Sequence, residues 1–325
     1  MKTHLCIHCL RVIVVLFFLV FHLSISFGAP IKDLVFTESE WLGPNIIRIP
    51  FTLTGTVITV RARVDTIEGN FFFDTGASGL LLNYRYFGNP NRPAWAEGGG
   101  VTGSVRVLGT AKVDTFQLDN LLATQVPAEL IDFTHIENTK KIDLVGLIGY
   151  AVFKDFEILF DYEASLLVLI RLDAGGVQLE PLPRWEYKSV GSSEIETSGH
   201  VAMVWLKFGA GKSKKFGLDS GAEQNLMSNT TGKRFLKDNF EIRRRVKLRG
   251  TGNQSLEVLS GILKNASLDT FHFKPMATIL TNLDQINAAY QTDLDGMLGY
   301  EFLSQRPMSI NHRKRRITFY VKERP

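Results

Sequence analysis

Two aspartates stand in near-identical surroundings 145 residues apart: Asp74 in FFFDTGASGLLLN (residues 71–83) and Asp219 in FGLDSGAEQNLM (residues 216–227). Each ends an apolar run, and each is followed by a hydroxyl residue, glycine and alanine: Thr75, Gly76, Ala77 and Ser220, Gly221, Ala222. Strands that apolar belong in a core, where an unpaired carboxylate is costly. Asp-Thr/Ser-Gly is also a turn sequence, because a short acidic side chain bonds its own backbone two residues on. A turn alone does not explain why the same phrase closes an apolar strand twice. Two acids brought together have a specific chemistry. They cannot both ionise, so they share a proton, and at one pH one serves as acid and the other as base.

The elements that position these acids repeat as well. GLIGYAVFKDFEILFDYEASLLVLI (residues 146–170) aligns without gaps on GMLGYEFLSQRPMSINHRKRRITFY (residues 296–320) at a constant offset of 150. Phe153 falls on Leu303, Ile158 on Met308, Phe160 on Ile310 and Leu167 on Ile317. Ahead of each Asp strand comes an alternating run, TVITVRARV or HVAMVWLKF, and then a turn-like stretch, which predicts a hairpin. SVRVLGTAKVDTFQL and SLEVLSGILKNASLD correspond more roughly. Short helical turns are expected after each Asp motif and at GYAVF and GYEFL. Short strands with turn signals between them make the class all-β. Two similar halves imply a pseudo-two-fold axis, and residues at equivalent places near it can meet.

Length and composition suit a globular chain: 325 residues, 45% hydrophobic, formal charge +4. So small a charge indicates no nucleic-acid partner. The first 28 residues carry Lys2 and Arg11, a ten-residue apolar centre (VIVVLFFLVF) and small residues at the end, the layout of an export signal. An uncleaved amino-terminal anchor is the other reading, and only then would the chain touch a membrane. Cys6 and Cys9 both fall in this segment, so the mature chain is expected to be free of cysteine and disulfides. Residues 29–180 and 200–325 are the expected domains. The Pro-, Ser- and Gly-rich stretch at 181–199 is the expected linker.

Asp-Thr/Ser-Gly-Ala twice, each followed by an apolar-apolar-Gly triplet (Leu147-Ile148-Gly149 and Met297-Leu298-Gly299), resembles the aspartic peptidases. More closely, the chain is similar to the fused pairs of retropepsin-like domains in bacterial exported aspartyl protease family proteins. The resemblance runs from about Ile46 to Tyr320. It implies a bilobal, pepsin-like architecture of two β-barrel lobes and an exported, monomeric endopeptidase with an acidic optimum. Asp74 and Asp219 would be the catalytic pair acting on a polypeptide in extended conformation, with no cofactor and no metal. Thr75 and Ser220 would lock the two loops together, Gly76 and Gly221 would let them approach, and the triplets would brace them. The position after Ala is Ser78 in one half and Glu223 in the other. Both are candidates for substrate contact, while for Glu223 an ion pair with a nearby Lys or Arg is equally open. Glycine-rich stretches at residues 95–104, with Gly99 and Gly100, and at 249–255 are candidate flaps, although no tyrosine is placed as in the pepsin flap. Little chain separates the signal from the first strand, so activity is expected without removal of a large propeptide.

Other motifs carry less. GGGVTG (residues 98–103) fits G-x-G-x-x-G but lacks the strand before and helix after that a dinucleotide site needs. His135, His200, His272 and His312 show no metal-ligand spacing, and neither HExxH nor G-x-S-x-G occurs. RRRVKLR (243–249) and HRKRR (312–316) read as solvated faces, with a polyanion contact as the alternative. Sequons at Asn229, Asn253 and Asn265 matter only in a glycosylating host. The rival function is a catalytically weak protein of this fold that binds peptides or cell-envelope components.

Overall fold

Uninterrupted apolar runs and alternating runs both become strands. The computed structural model describes residues 40–41, 45–88, 96–100, 103–183, 186–209, 211, 213–249 and 255–322, and it is mostly β. The segment read as an export signal lies outside those residues, as does Asn253. Among the described residues the helices are short: α1 (Tyr84–Phe87), α2 (Thr134–Lys140), α3 (Tyr150–Phe153), α4 (Lys233–Asn239), α5 (Asp284–Tyr290) and α6 (Tyr300–Leu303). None is long and apolar enough to cross a membrane. α3 and α6 stand where GYAVF and GYEFL predict helical turns.

Each half builds a curled sheet around its Asp strand. In the first, Val57–Val64 and Ile67–Phe73 form the predicted hairpin, and Val57–Val64 also pairs Gly103–Leu118, which curls the sheet back on itself. Leu144–Ile148 lies between Ile67–Phe73, to which it is parallel, and Leu80–Asn83, to which it is antiparallel. The second half repeats this. Val201–Phe208 pairs Lys214–Leu218, and Gly296–Leu298 runs parallel to Lys214–Leu218 and antiparallel to Asn225–Ser228. Strands enclosed on both faces have no polar side to show, which is why Phe71, Phe72 and Phe73 follow one another.

A third sheet joins the halves. Its strand order is Glu40–Trp41, Ile46–Pro50, Leu166–Arg171, Phe156–Asp161, Met308–Asn311, Arg316–Lys322, Tyr187–Glu194. The seam lies between Phe156–Asp161 and Met308–Asn311, where Ile158 pairs Ile310, Leu159 pairs Ser309 and Phe160 pairs Met308. Leu159 and Ser309 are 150 residues apart, the offset of the repeat. Equivalent residues are therefore partners, and the local two-fold of this antiparallel pair passes between them. Phe153, Phe160, Phe302 and Phe319 enter one continuous core built from both halves.

The stretch between the two halves is itself drawn into strands. The stretch read as a linker, 181–199, contains the strands Tyr187–Glu194 and Glu196–Ser198. Its Ser- and Gly-rich composition hides an edge strand that Arg316–Lys322 templates, with a bulge between Ser189 and Gly191. Tyr187 anchors it from the buried side, donating to Asp161 Oδ2 at 2.8 Å.

Candidate functional site

Each Asp loop is a turn, and the two turns meet. Asp74 and Asp219 leave their strands with N–H groups bonded to the bracing triplets, Asp74 N to Ile148 O at 3.0 Å and Asp219 N to Leu298 O at 2.9 Å. Each Oδ1 then accepts the N–H of the glycine two residues on, Gly76 or Gly221, at 2.8 Å. Locally this is the turn that the Asp-Thr/Ser-Gly sequence predicts. The hydroxyls carry the contact across. Thr75 N–H donates to Ser220 Oγ at 3.1 Å, and Ser220 N–H donates to Thr75 Oγ1 at 3.0 Å. Ser220 Oγ passes its own proton to Phe73 O at 2.9 Å, and Thr75 Oγ1 to Leu218 O at 3.4 Å. A hydroxyl is needed because each side chain must accept and donate at once.

The glycines set how closely the loops approach. A β-carbon on Gly221 would stand 2.5 Å from Asp74 Cγ, and one on Gly76 would stand 2.7 Å from Asp219 Cγ. Each glycine thus lies flat against the opposite carboxylate. Asp74 and Asp219 are both 0% exposed. Among the described residues, Asp74 Oδ2 and Asp219 Oδ2 meet no donor. A proton shared by the pair satisfies both oxygens. Burial, then the charge of Asp219, pushes Asp74 well above the usual carboxylate range. Burial raises Asp219 to about 6, opposed by hydrogen bonds from Asp74 and from the amides of Gly221, Gly76 and Ala222. The pair therefore holds a shared proton above the pH at which an ordinary carboxyl loses it.

Aromatic groups from the opposite half pack near each loop. The Tyr162 ring lies 5.4 Å from Tyr300, and His312, the residue equivalent to Tyr162, lies 4.9 Å from Tyr150, the residue equivalent to Tyr300. Burial, then the neighbouring His200, draws His312 down to about 4, so it is neutral at pH 7. The first residue of the basic run 312–316 is thus not part of a solvated face. By contrast Arg243 and Arg245 are exposed and pair with Glu241 and Glu257.

Of the two uses open for Glu223, the structure supplies the ion pair. Lys140, the last residue of α2, contacts the Glu223 carboxylate across the halves, and both side chains are largely buried. Thr56 Oγ1 donates to Glu223 O at 3.1 Å. Gly55 roofs the pair at φ +67°, and a β-carbon there would stand 2.8 Å from both Glu223 Oε1 and Lys140 Nζ. Burial draws the Lys140 ammonium down to about 7, which the touching carboxylate opposes. Lys140→Met leaves a buried carboxylate without its counter-charge. It is expected to cost about 3 kcal/mol at pH 7 by urea denaturation, and less at pH 4, where Glu223 can protonate. An equal loss at both pH values would count against the ion pair.

The remaining predicted site residues are spread around this centre. Ser78 is partly buried, and its carbonyl accepts from Ala151 at 3.0 Å as α3 begins. Gly99 and Gly100 close a hairpin, paired with Ser104 and Gly103, and their strand Ala96–Gly100 packs against α5 of the second half. In the second glycine-rich stretch residues 250–254 lie outside the described ones, while Arg249 and Ser255 pair at its base. Three residues were not foreseen: Lys140, His200 and Tyr290. Tyr290 OH and His200 Nε2 each lie 2.9 Å from Gly76 O. The offset that aligns Lys140 with Tyr290 could have marked both. Among the described residues no three His, Cys, Asp or Glu side chains gather as metal ligands. No family model matches the chain, and no curated protein matches it.

Proposed function

We propose that the protein is an aspartic endopeptidase in which water is activated between Asp74 and Asp219. The observation that carries this reading is the reciprocal Thr75–Ser220 bonding, which sets two fully buried carboxylates side by side with one unpartnered oxygen each. A turn or a packing motif needs no such pair. Asp219, ionised, takes a proton from water as the water oxygen bonds to the scissile carbonyl carbon. Asp74 gives its proton to the carbonyl oxygen. The tetrahedral species then collapses: the C–N bond breaks, the leaving amine takes a proton from Asp219, and Asp74 recovers one from the diol. No covalent intermediate forms, and the dyad needs one ionised and one protonated member, so activity falls on the acid side of about pH 6, where Asp219 takes up its proton, and again at higher pH, where the shared proton is lost.

The repeated curled sheets and the seam centred on Leu159 and Ser309 support a bilobal, pepsin-like architecture with the dyad between two β-barrel lobes. An extended polypeptide would lie in the cleft, under the hairpin that carries Gly99 and Gly100. We read the protein as a monomer, exported through its first 28 residues. The deciding experiment is cleavage of an unfolded protein substrate from pH 2.5 to 7.5, with and without a statine-type transition-state mimic. Cleavage that falls away toward pH 2.5 and is blocked by the mimic is the expected result. A folded protein that cleaves nothing at any pH would sink the peptidase reading in favour of a binding protein.

A further inference from the structure

Each Asp loop is gripped from the opposite half by one helix end and one hairpin turn. α2 and α5 stand 150 residues apart, and both end in a left-handed residue, Lys141 and Gln291. The turns Gly55–Thr56 and Gly199–His200 stand 144 apart, again with a left-handed glycine in each. By these offsets Lys140 corresponds to Tyr290, and Thr56 to His200. The chemistry of the two grips differs. Lys140 and Thr56 both engage Glu223, four residues beyond Asp219. Tyr290 and His200 both engage the carbonyl of Gly76, two residues beyond Asp74.

Gly76 is the more consequential place to hold. Its N–H bonds Asp74 Oδ1, and its α-carbon lies against the Asp219 carboxylate. Pinning its carbonyl from two directions fixes the plane of the Gly76–Ala77 peptide. The N–H of that peptide turns back to Asp74 O at 3.3 Å. Two donors on a carbonyl also polarise its amide, which sharpens the N–H on the other side. A carbonyl only accepts, so His200 presents Nε2–H, and burial, which draws the imidazole below its ordinary value, leaves the ring uncharged at pH 7. Its ring is 5.5 Å from Tyr290 and 6.5 Å from Tyr150.

We propose that Tyr290 and His200 are positioning residues of the reaction: an uncharged two-donor clamp from the second half that holds the first Asp loop in register with Asp219. The proposal rests on Asp74 and Asp219 being the reacting pair. Tyr290→Phe keeps the ring and removes the donor. It is expected to lower kcat about 10- to 100-fold with KM changed less than about twofold. In the substrate-free protein, carbon-13 NMR should find the raised carboxyl titration of wild type moved toward the ordinary range in Tyr290→Phe. His200→Gln, which keeps an N–H donor, should retain more kcat than His200→Leu at similar melting temperature.

Unchanged kcat and unchanged carboxyl titrations in Tyr290→Phe overturn the clamp. So does a fall in kcat that tracks lost thermal stability while the titrations stay put. A wild-type protein with no carboxyl titrating above the ordinary range overturns the reading of the pair itself, and the clamp with it.

Discussion

At pH 7, Asp74→Asn and Asp219→Asn are each expected to lose about 10³-fold in activity while melting a few degrees above wild type. The activity loss follows from roles that cannot be exchanged, since an amide can neither take a proton from water nor give one up. The gain in stability follows from burial. A carboxyl whose folded pKa is raised binds its proton more tightly in the folded chain than in the unfolded one. Its stabilising contribution is complete below the unfolded value, about 3.9, and is lost as pH rises through the folded one. With Asp219 raised to about 6, the charged form burdens the fold at pH 7 by about 3 kcal/mol, and asparagine removes that burden. An asparagine amide can also donate to the unpartnered Oδ2 of its neighbour. Near pH 4 the advantage should vanish, because wild type is then protonated. Thermal melts of the three proteins at pH 4 and pH 7 decide it. Variants less stable than wild type at pH 7 would mean that the two carboxylates are not strained against each other.

Gly221→Ala is expected to abolish activity and to cost about 2–4 kcal/mol, more than a solvent-facing turn glycine would. Its β-carbon would meet Asp74 Cγ at 2.5 Å and both carboxylate oxygens within 2.7 Å. Asp74 cannot retreat, because its Oδ1 is tied to Gly76 and its backbone to Ile148. The loops must separate, and the Thr75–Ser220 bonds part with them. Gly199→Ala is the control: its φ is +56°, but a β-carbon there meets nothing within 4 Å. Only the left-handed strain of about 1 kcal/mol remains. Equal melting temperatures for the two variants would show that the loops are not in close contact.

The Asp loops were legible because their requirements are local. An acid, a hydroxyl and a glycine in that order build the turn, and a second copy supplies the partner. The offset of 150 reached further, because it makes Leu159 and Ser309 equivalent positions, and the structure pairs those two across the seam. What it could not give is what an equivalent residue touches once its chemistry has changed. Lys140 and Tyr290 share a position and no functional group, and their partners, Glu223 and Gly76, lie far away in sequence. Tyr187–Glu194 was missed for another reason. Its residues KSVGSS carry no apolar alternation, and the strand exists because Arg316–Lys322 offers it an edge. The helices α2 and α5 were missed because one short apolar face, Ile136 or Ile286, is too little periodicity to read.

The seam at Leu159 and Ser309 also bears on when the proposed site can be complete. The first half alone owns one aspartate of the pair, Asp74, and a raw strand edge at Phe156–Asp161. The strands that cover that edge, Met308–Asn311 and then Arg316–Lys322, are the last described in the chain. On the proposed reading the pair is complete only in a chain whose halves have met across that edge. A fragment of the first half alone, holding Asp74 without Asp219, would then have no dyad with which to cleave.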